Sequence, residues 1–165
     1  MDENPATHLV CPTALVDAPV DVVWSLLTQP AGWGSFYDLR VTQVTPPGPA
    51  AAGQIVRCEA GPRFLHLKIE MRLDEIDTAG HRLRMQVTFP FGLTVREDMN
   101  CIAVGERQCR VNYRCGFGFP NGWRGRLLRL VLRRQIEAGP RDSIARLKRA
   151  AEQPGLQPAA GSHRL

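Results

Sequence analysis

A chain of 165 residues, 44% of them hydrophobic, is long enough for one globular domain with a sizeable core and too short for two. The formal net charge of +5 rests mainly on arginine, which permits contact with nucleic acid or an anionic membrane. No aromatic RNA-binding signature, zinc-finger spacing or helix-turn-helix accompanies it, so the expectation is against nucleic acid.

The opening Met1-Asp-Glu-Asn-Pro is acidic and polar where a secretory signal would be basic and then apolar, and no uninterrupted apolar run approaches a membrane span; a cytoplasmic protein is expected. Residues 1–7 and 153–165 read as flexible termini, leaving 8–152 as the single domain. The five cysteines, Cys11, Cys58, Cys101, Cys109 and Cys115, are dispersed with no Cys-x-x-Cys pair. Reduced, mostly buried thiols are expected, with no disulfide, no metal site and no cofactor.

From His8 to Asp17 the chain is rich in strand formers, with Pro12 pointing to an edge position or to a strand that begins after it. Pro19 and Asp21 suit the first turn of a helix over 19–28 that buries Val23, Leu26 and Leu27. Pro30 ends it and opens a second short helical turn to Asp38, carrying Trp33, Phe36 and Tyr37. Strands are predicted over 39–45 and 54–59, separated by a proline-rich loop.

Strict alternation follows. Leu65, Leu67, Ile69, Met71 and Leu73 share one phase, and after a turn at 78–80 so do Leu83, Met85, Val87 and Phe89. The next two runs are Leu93, Val95, Glu97, Met99, Cys101 and Ala103, then Cys109, Val111, Tyr113, Cys115, Phe117 and Phe119. Period-two strands joined by short turns form an antiparallel meander with one apolar face, and that face needs a cover. The remaining long element, 121–152, supplies it: Asn121 is the expected N-cap, Trp123, Leu127, Leu130 and Val131 the expected inner face, and Arg126, Arg129 and Arg133 the outer one. Gly139-Pro140 is expected to kink or break this helix.

The run Val16-Asp-Ala-Pro-Val-Asp-Val-Val-Trp-Ser-Leu-Leu-Thr-Gln-Pro-Ala-Gly-Trp33 resembles the entry signature of the START-like, or SRPBCC, superfamily, and Leu147-Lys-Arg-Ala-Ala-Glu152 resembles its helix end. The closest likeness is to the polyketide cyclase/dehydrase and lipid-transport group. This resemblance implies an α+β, Bet v 1-like helix-grip fold: a seven-stranded curved antiparallel sheet around the long C-terminal helix, with two short helices after strand 1. It also implies an internal cavity holding an apolar or amphipathic molecule. Its walls would be Leu67, Ile69, Met71, Met85, Val87, Phe89, Val95, Met99, Cys115, Phe117 and the helix residues Trp123, Leu127 and Val131, with Trp33, Phe36 and Tyr37 at the mouth.

Glu97 breaks the apolar phase of its strand. A carboxylate pointing inward between Val95 and Met99 has its pKa raised by desolvation and can act as acid or base on an enolisable ligand. The alternatives are a bulge beside Glu97-Asp98 or an ion pair with Arg57 or another arginine. Tyr113 shares the inward phase and either hydrogen-bonds a ligand carbonyl or phenol or serves as a core tyrosine. No histidine pair has metal-ligand spacing, no Gly-x-Ser-x-Gly elbow is present, and Gly116-Phe-Gly118 lacks the helix start of a phosphate loop. Three readings follow: a binder of a lipid, quinone or polyketide-like molecule; a cyclase/aromatase-type enzyme using Glu97 and Tyr113; and an interaction module, including transient membrane contact, using the basic helix face.

Overall fold

Period-two alternation becomes an antiparallel sheet whose inner face is almost wholly apolar. The computed structural model describes residues 8–61 and 66–153; Leu65 and the termini 1–7 and 154–165, all assigned from sequence above, lie outside them. The strands are β1 (His8–Val10), β2 (Thr13–Val16), β3 (Arg40–Thr45), β4 (Ile55–Ala60), β5 (Leu67–Asp77), β6 (Arg82–Thr88), β7 (Thr94–Gly105) and β8 (Gln108–Gly118). Helix α1 spans Val20–Leu27, and helix α2 spans Trp123–Glu152. Pro30–Ser35, expected as a second helical turn, forms a 3₁₀ turn.

Strands β3 to β8 form the expected meander, and β1 and β2 both pair with β8 at its other edge, giving an eight-stranded sheet. The extra strand is the predicted first strand cut in two at Cys11-Pro12, where proline has no N–H to give the ladder. Its edge position makes that loss tolerable. In β5 the register shifts between Leu73 and Glu75, which ends the inward run Ile69, Met71, Leu73 and brings Ile76 opposite Leu83. From β6 through β8 the register over the middle of the sheet is regular, so inward residues align in rows: Val87, Val95, Phe117; Met85, Glu97, Cys115; Leu83, Met99, Tyr113.

Helix α2 departs from the sequence expectation in three ways. It runs unbroken through Gly139 and Pro140. Ile136, Pro140, Ile144, Leu147 and Ala151 are all buried, a single stripe at spacings of three and four that crosses the proline without changing phase. Packing along that stripe holds the helix together despite the backbone hydrogen bond that Pro140 cannot donate.

The cap is Gly122, with φ of 85°, and no side-chain cap bond is made, so Asn121 does not serve. The third departure is rotational. Trp123, Leu127, Leu130 and Val131 are 70%, 52%, 72% and 63% exposed. Gly125 is buried in their place, with Leu128 and Leu132 half-buried behind it.

Gly125 explains this orientation. A Cβ built on it would stand 1.8 Å from the carbonyl oxygen of Pro120 and 3.6 Å from the Phe119 side chain. The first turn therefore lies flat on the end of β8, and only the side of the helix that carries no side chain fits there. At its far end α2 is tied to the opening of the chain: Glu152 accepts hydrogen bonds from the Asp17 amide at 2.8 Å and from Lys148 Nζ at 2.7 Å, and Lys148 Nζ also reaches the Leu15 carbonyl at 2.6 Å.

Alanine is ordinarily worth about 1 kcal/mol more than glycine inside a helix. Gly125→Ala is expected to reverse that sign and lower the stability by about 1–3 kcal/mol, the usual cost of overpacking. Urea unfolding of the two proteins measures it, and an unchanged or raised midpoint would refute the close approach to Pro120.

Candidate functional site

Glu97 sits mid-strand in β7, facing inward between Met85 of β6 and Cys115 of β8. Tyr113 pairs with Met99, two residues further along β7, and is thus the diagonal neighbour of Glu97 on the same face. Diagonal side chains of this length reach one another. No register shift occurs beside Glu97-Asp98, and Arg57 pairs instead with Glu70 at 3.4 Å on the outer side of the sheet. Neither of the alternative roles considered for Glu97 is found.

Tyr37 approaches from the opposite layer. Trp33, completely buried, donates its indole N–H to the Leu27 carbonyl at 3.0 Å and so locks the 3₁₀ turn onto the end of α1. The Tyr37 ring packs edge-on against Trp33 with centroids 6.0 Å apart and against Phe36 at 4.9 Å. Held in this way, the Tyr37 hydroxyl donates to Glu97 Oε2 at 2.7 Å.

A carboxyl among methionines and rings is poorly solvated. Burial pushes Glu97 up from the usual 4.5 to about 6, against hydrogen bonds from Tyr37 and Tyr113 that pull it down. Burial also raises both phenols well above 10, with the Glu97 charge adding to the effect. At neutral pH both are therefore hydrogen-bond donors. The Cys115 thiol beside them is likewise pushed up, by burial first and by Glu97 second. The cluster can hold a proton near pH 6, and Tyr113 can turn its phenolic O–H to an incoming oxygen atom while Tyr37 keeps its bond to Glu97.

Tyr37 and Tyr113 border a void of about 10 Å³, lined also by Phe36, Met99, Val111, Ser143, Ile144 and Leu147. That is room for about one water. The phenols, not the carboxylate, face it.

Of the residues assigned to a cavity from sequence, Phe36, Tyr37, Met99 and Tyr113 meet at this point. Trp33, Ile69, Met71, Met85, Val87, Val95, Cys115 and Phe117 are buried elsewhere in the same core, and Leu67 and Phe89 are half-buried. Trp123, Leu127 and Val131 face outward and do not wall the enclosed space. Val111, Ser143, Ile144 and Leu147 were missed, the last three because the sequence placed the first half of α2, not the second, against the cavity. The Ile136-to-Ala151 stripe was the signal for those three.

A wider, open hollow of about 570 Å³ lies on the outer face where β1 gives way to β2, lined by Cys11, Thr13, Asn100, Asn112 and Arg114 among others. Its Arg82 and Asp98 satisfy each other, with Nε to Oδ1 at 3.0 Å. Among the described residues no group of three or more His, Cys, Asp or Glu side chains is placed to hold a metal ion. Among the described residues no helix is long and apolar enough to cross a membrane.

An antiparallel sheet closed by a C-terminal helix, with a buried polar cluster between the layers, defines a helix-grip protein of the Bet v 1-like, START type. The chain belongs to the family described as polyketide cyclase / dehydrase and lipid transport, whose model matches residues 8–152. No match is found among curated proteins.

Solved structures share the fold at low identity. The aromatase/cyclase Zhui from Streptomyces sp. R1128 is 16% identical, with a TM-score of 0.65 over 90% of this chain and 98% of its own. Norcoclaurine synthase from Thalictrum flavum, in complex with dopamine and hydroxybenzaldehyde, is 15% identical, with a TM-score of 0.63 over 87% of this chain and 86% of its own. Ara h 8.0201 is 9% identical, with a TM-score of 0.61 over 88% and 98% of the two chains.

The raised pKa of Glu97 carries a stability consequence. The folded state keeps its proton up to about pH 6, whereas an unfolded glutamate loses it near 4.5, so folding stability falls as pH rises through this window. The difference corresponds to about 2 kcal/mol. Glu97→Gln, which cannot ionise, is expected to gain up to about 2 kcal/mol on the wild type above pH 6.5 relative to their difference below pH 4.5. Urea unfolding across that range tests it, and a difference independent of pH would show that Glu97 titrates normally.

Proposed function

We propose that this protein binds a hydrophobic small molecule, of lipid, quinone or polyketide-like character, between the inner face of the sheet and α2. The observation that carries this reading is the cluster of Tyr37, Glu97 and Tyr113, buried in an otherwise apolar layer and bordered by a small void. An apolar site with a few convergent polar groups is the usual make-up of a small-molecule pocket. The ligand's carbonyl or phenol would take a hydrogen bond from Tyr113, with Tyr37 left on Glu97, and its apolar body would displace the contacts of Phe36, Met99, Ile144 and Leu147. Since the void holds about one water, entry requires the wall formed by α2 and the 3₁₀ segment to move outward. Membership of a family described by polyketide cyclisation and lipid transport supports this reading, as does a fold shared with norcoclaurine synthase, solved in complex with dopamine and hydroxybenzaldehyde.

A second reading is favoured by the pKa of Glu97. A group titrating near 6 is divided between acid and base close to neutral pH, as general acid-base catalysis requires. In a cyclase- or dehydratase-type reaction the carboxylate would take a proton from the carbon next to a ketone while a tyrosine O–H hydrogen-bonds the enolate oxygen. The resulting carboxylic acid would then protonate a departing hydroxyl, releasing water.

Native mass spectrometry of protein purified from several hosts, then of the same protein mixed with a fatty acid, a ubiquinone or a hydroxyanthraquinone, is expected to show one apolar molecule per chain. Tyr113→Phe is expected to weaken binding of a carbonyl-bearing probe about tenfold, the effect of one lost hydrogen bond. If no preparation carries or takes up any such molecule, binding is refuted. If a polyketone probe is turned over, Glu97→Gln is expected to retain affinity and lose turnover; unchanged turnover would remove Glu97 from the chemistry.

A further inference from the structure

The first half of α2 carries two apolar faces. At about 100° per residue, Gly125, Leu128, Leu132 and Ile136 gather on the side toward the sheet, and Trp123, Leu127, Leu130 and Val131 gather within an arc of about 100° on the opposite side. The inner set is buried or half-buried, whereas every member of the outer set is more than half exposed. A helix facing only water would not keep such a stripe, and contiguous exposed apolar surface marks an interaction site.

Arginines frame the stripe. Arg126, Arg129 and Arg133 line one flank, Arg124 the other, and Arg134 lies within it. Arg124 lies over the Trp123 ring at 5.7 Å, and Arg129 stacks on Phe119 at 4.9 Å. Among the described residues no carboxylate is within ion-pair distance of Arg124, Arg126 or Arg134, and the one acidic residue of this half, Glu137, lies 3.6 Å from Arg133.

A second large exposed apolar side chain stands at the same end of the molecule. Phe91 is 80% exposed and holds the left-handed conformation, φ 67°, that bulky residues rarely adopt. A Cβ on the adjacent Gly92 would lie 3.5 Å from the Pro120 side chain. The turn bearing Phe91 thus abuts the segment that leads into Trp123.

We propose that this surface docks on an anionic lipid bilayer, with Trp123, Leu127, Leu130, Val131 and Phe91 entering the headgroup boundary and the arginines meeting lipid phosphates and carboxylates. The charge decides between occupants. Isologous pairing of two copies would set arginine against arginine, and nucleic acid would leave Leu127, Leu130 and Val131 uncovered. A helix lying in the plane of the membrane takes this composition, basic flanks around a Trp and Leu face.

The test uses the full chain with vesicles of phosphatidylcholine alone and of phosphatidylcholine mixed with phosphatidylserine. Trp24 and Trp33 are buried, so a blue shift in emission on adding vesicles reports Trp123. Cosedimentation with the anionic vesicles is expected, reduced by added salt, together with that shift. Leu130→Asp, and separately the pair Arg126→Gln and Arg134→Gln, are each expected to weaken binding about tenfold or more. Both changes lie at exposed positions, and thermal melting without vesicles should be unchanged. Failure of the wild type to bind anionic vesicles would overturn the proposal, as would equal binding by folded variants. Self-association on ultracentrifugation that rises in the arginine double variant would assign the surface to a second copy instead.

Discussion

A carboxylate removed from water must find hydrogen bonds or surrender its charge, and Glu97 stands at the point where both constraints meet. Strand β7 sends it inward at the centre of the sheet, in a row with Met85 and Cys115. The Tyr37 phenol supplies one hydrogen bond at 2.7 Å, with the Tyr113 phenol beside it. Tyr113 is placed by the register of β8, and Tyr37 is placed by Trp33, which is itself fixed by the last turn of α1. The inner layer therefore joins three separate parts of the chain through one polar group. It does so at a cost, since a leucine at position 97 would be easier to bury than an acid.

The two halves of α2 answer to different demands. The second half carries Ile144, Leu147 and Ala151 into the core and is tied through Glu152 and Lys148 to the backbone at Asp17 and Leu15. The first half rests on Gly125 and the partly buried Leu128 and Leu132, and it leaves its largest apolar residues outside. Stability is distributed unevenly along such an element, since buried contacts and tertiary hydrogen bonds are concentrated at one end.

The sheet was legible because its information is local. Period two in β5 to β8 places Glu97 and Tyr113 on the inner face, and the short turn between the two strands sets their register. The edge position of the first strand was legible at Pro12, since proline's missing N–H acts on its own strand, but its division into β1 and β2 was not. Helix α2 was harder to read. Its outer face is richer in large apolar side chains than its inner one, so a hydrophobicity wheel selects the wrong side. The deciding residue, Gly125, has no hydrophobicity to count; it acts by the space it leaves for the Pro120 carbonyl. Pro140 misled in the opposite sense, because its local effect on the helix is outweighed by the buried stripe that continues on both sides of it. Tyr37 was assigned to a cavity mouth. No pattern in its own segment could show that its hydroxyl reaches a residue sixty positions later.

The same rotation of α2 that closes the core also exposes the surface. Turning the helix to bury Trp123 and Leu127 would drive a side chain into Pro120. With Gly125 inward, the arginines and the apolar stripe share one solvent face. That face lies at the end where Gly92 and Pro120 meet and Phe91 projects. One glycine thus fixes both how the first turn of α2 meets the end of β8 and the composition of the outer surface, and a substitution there would disturb the two together.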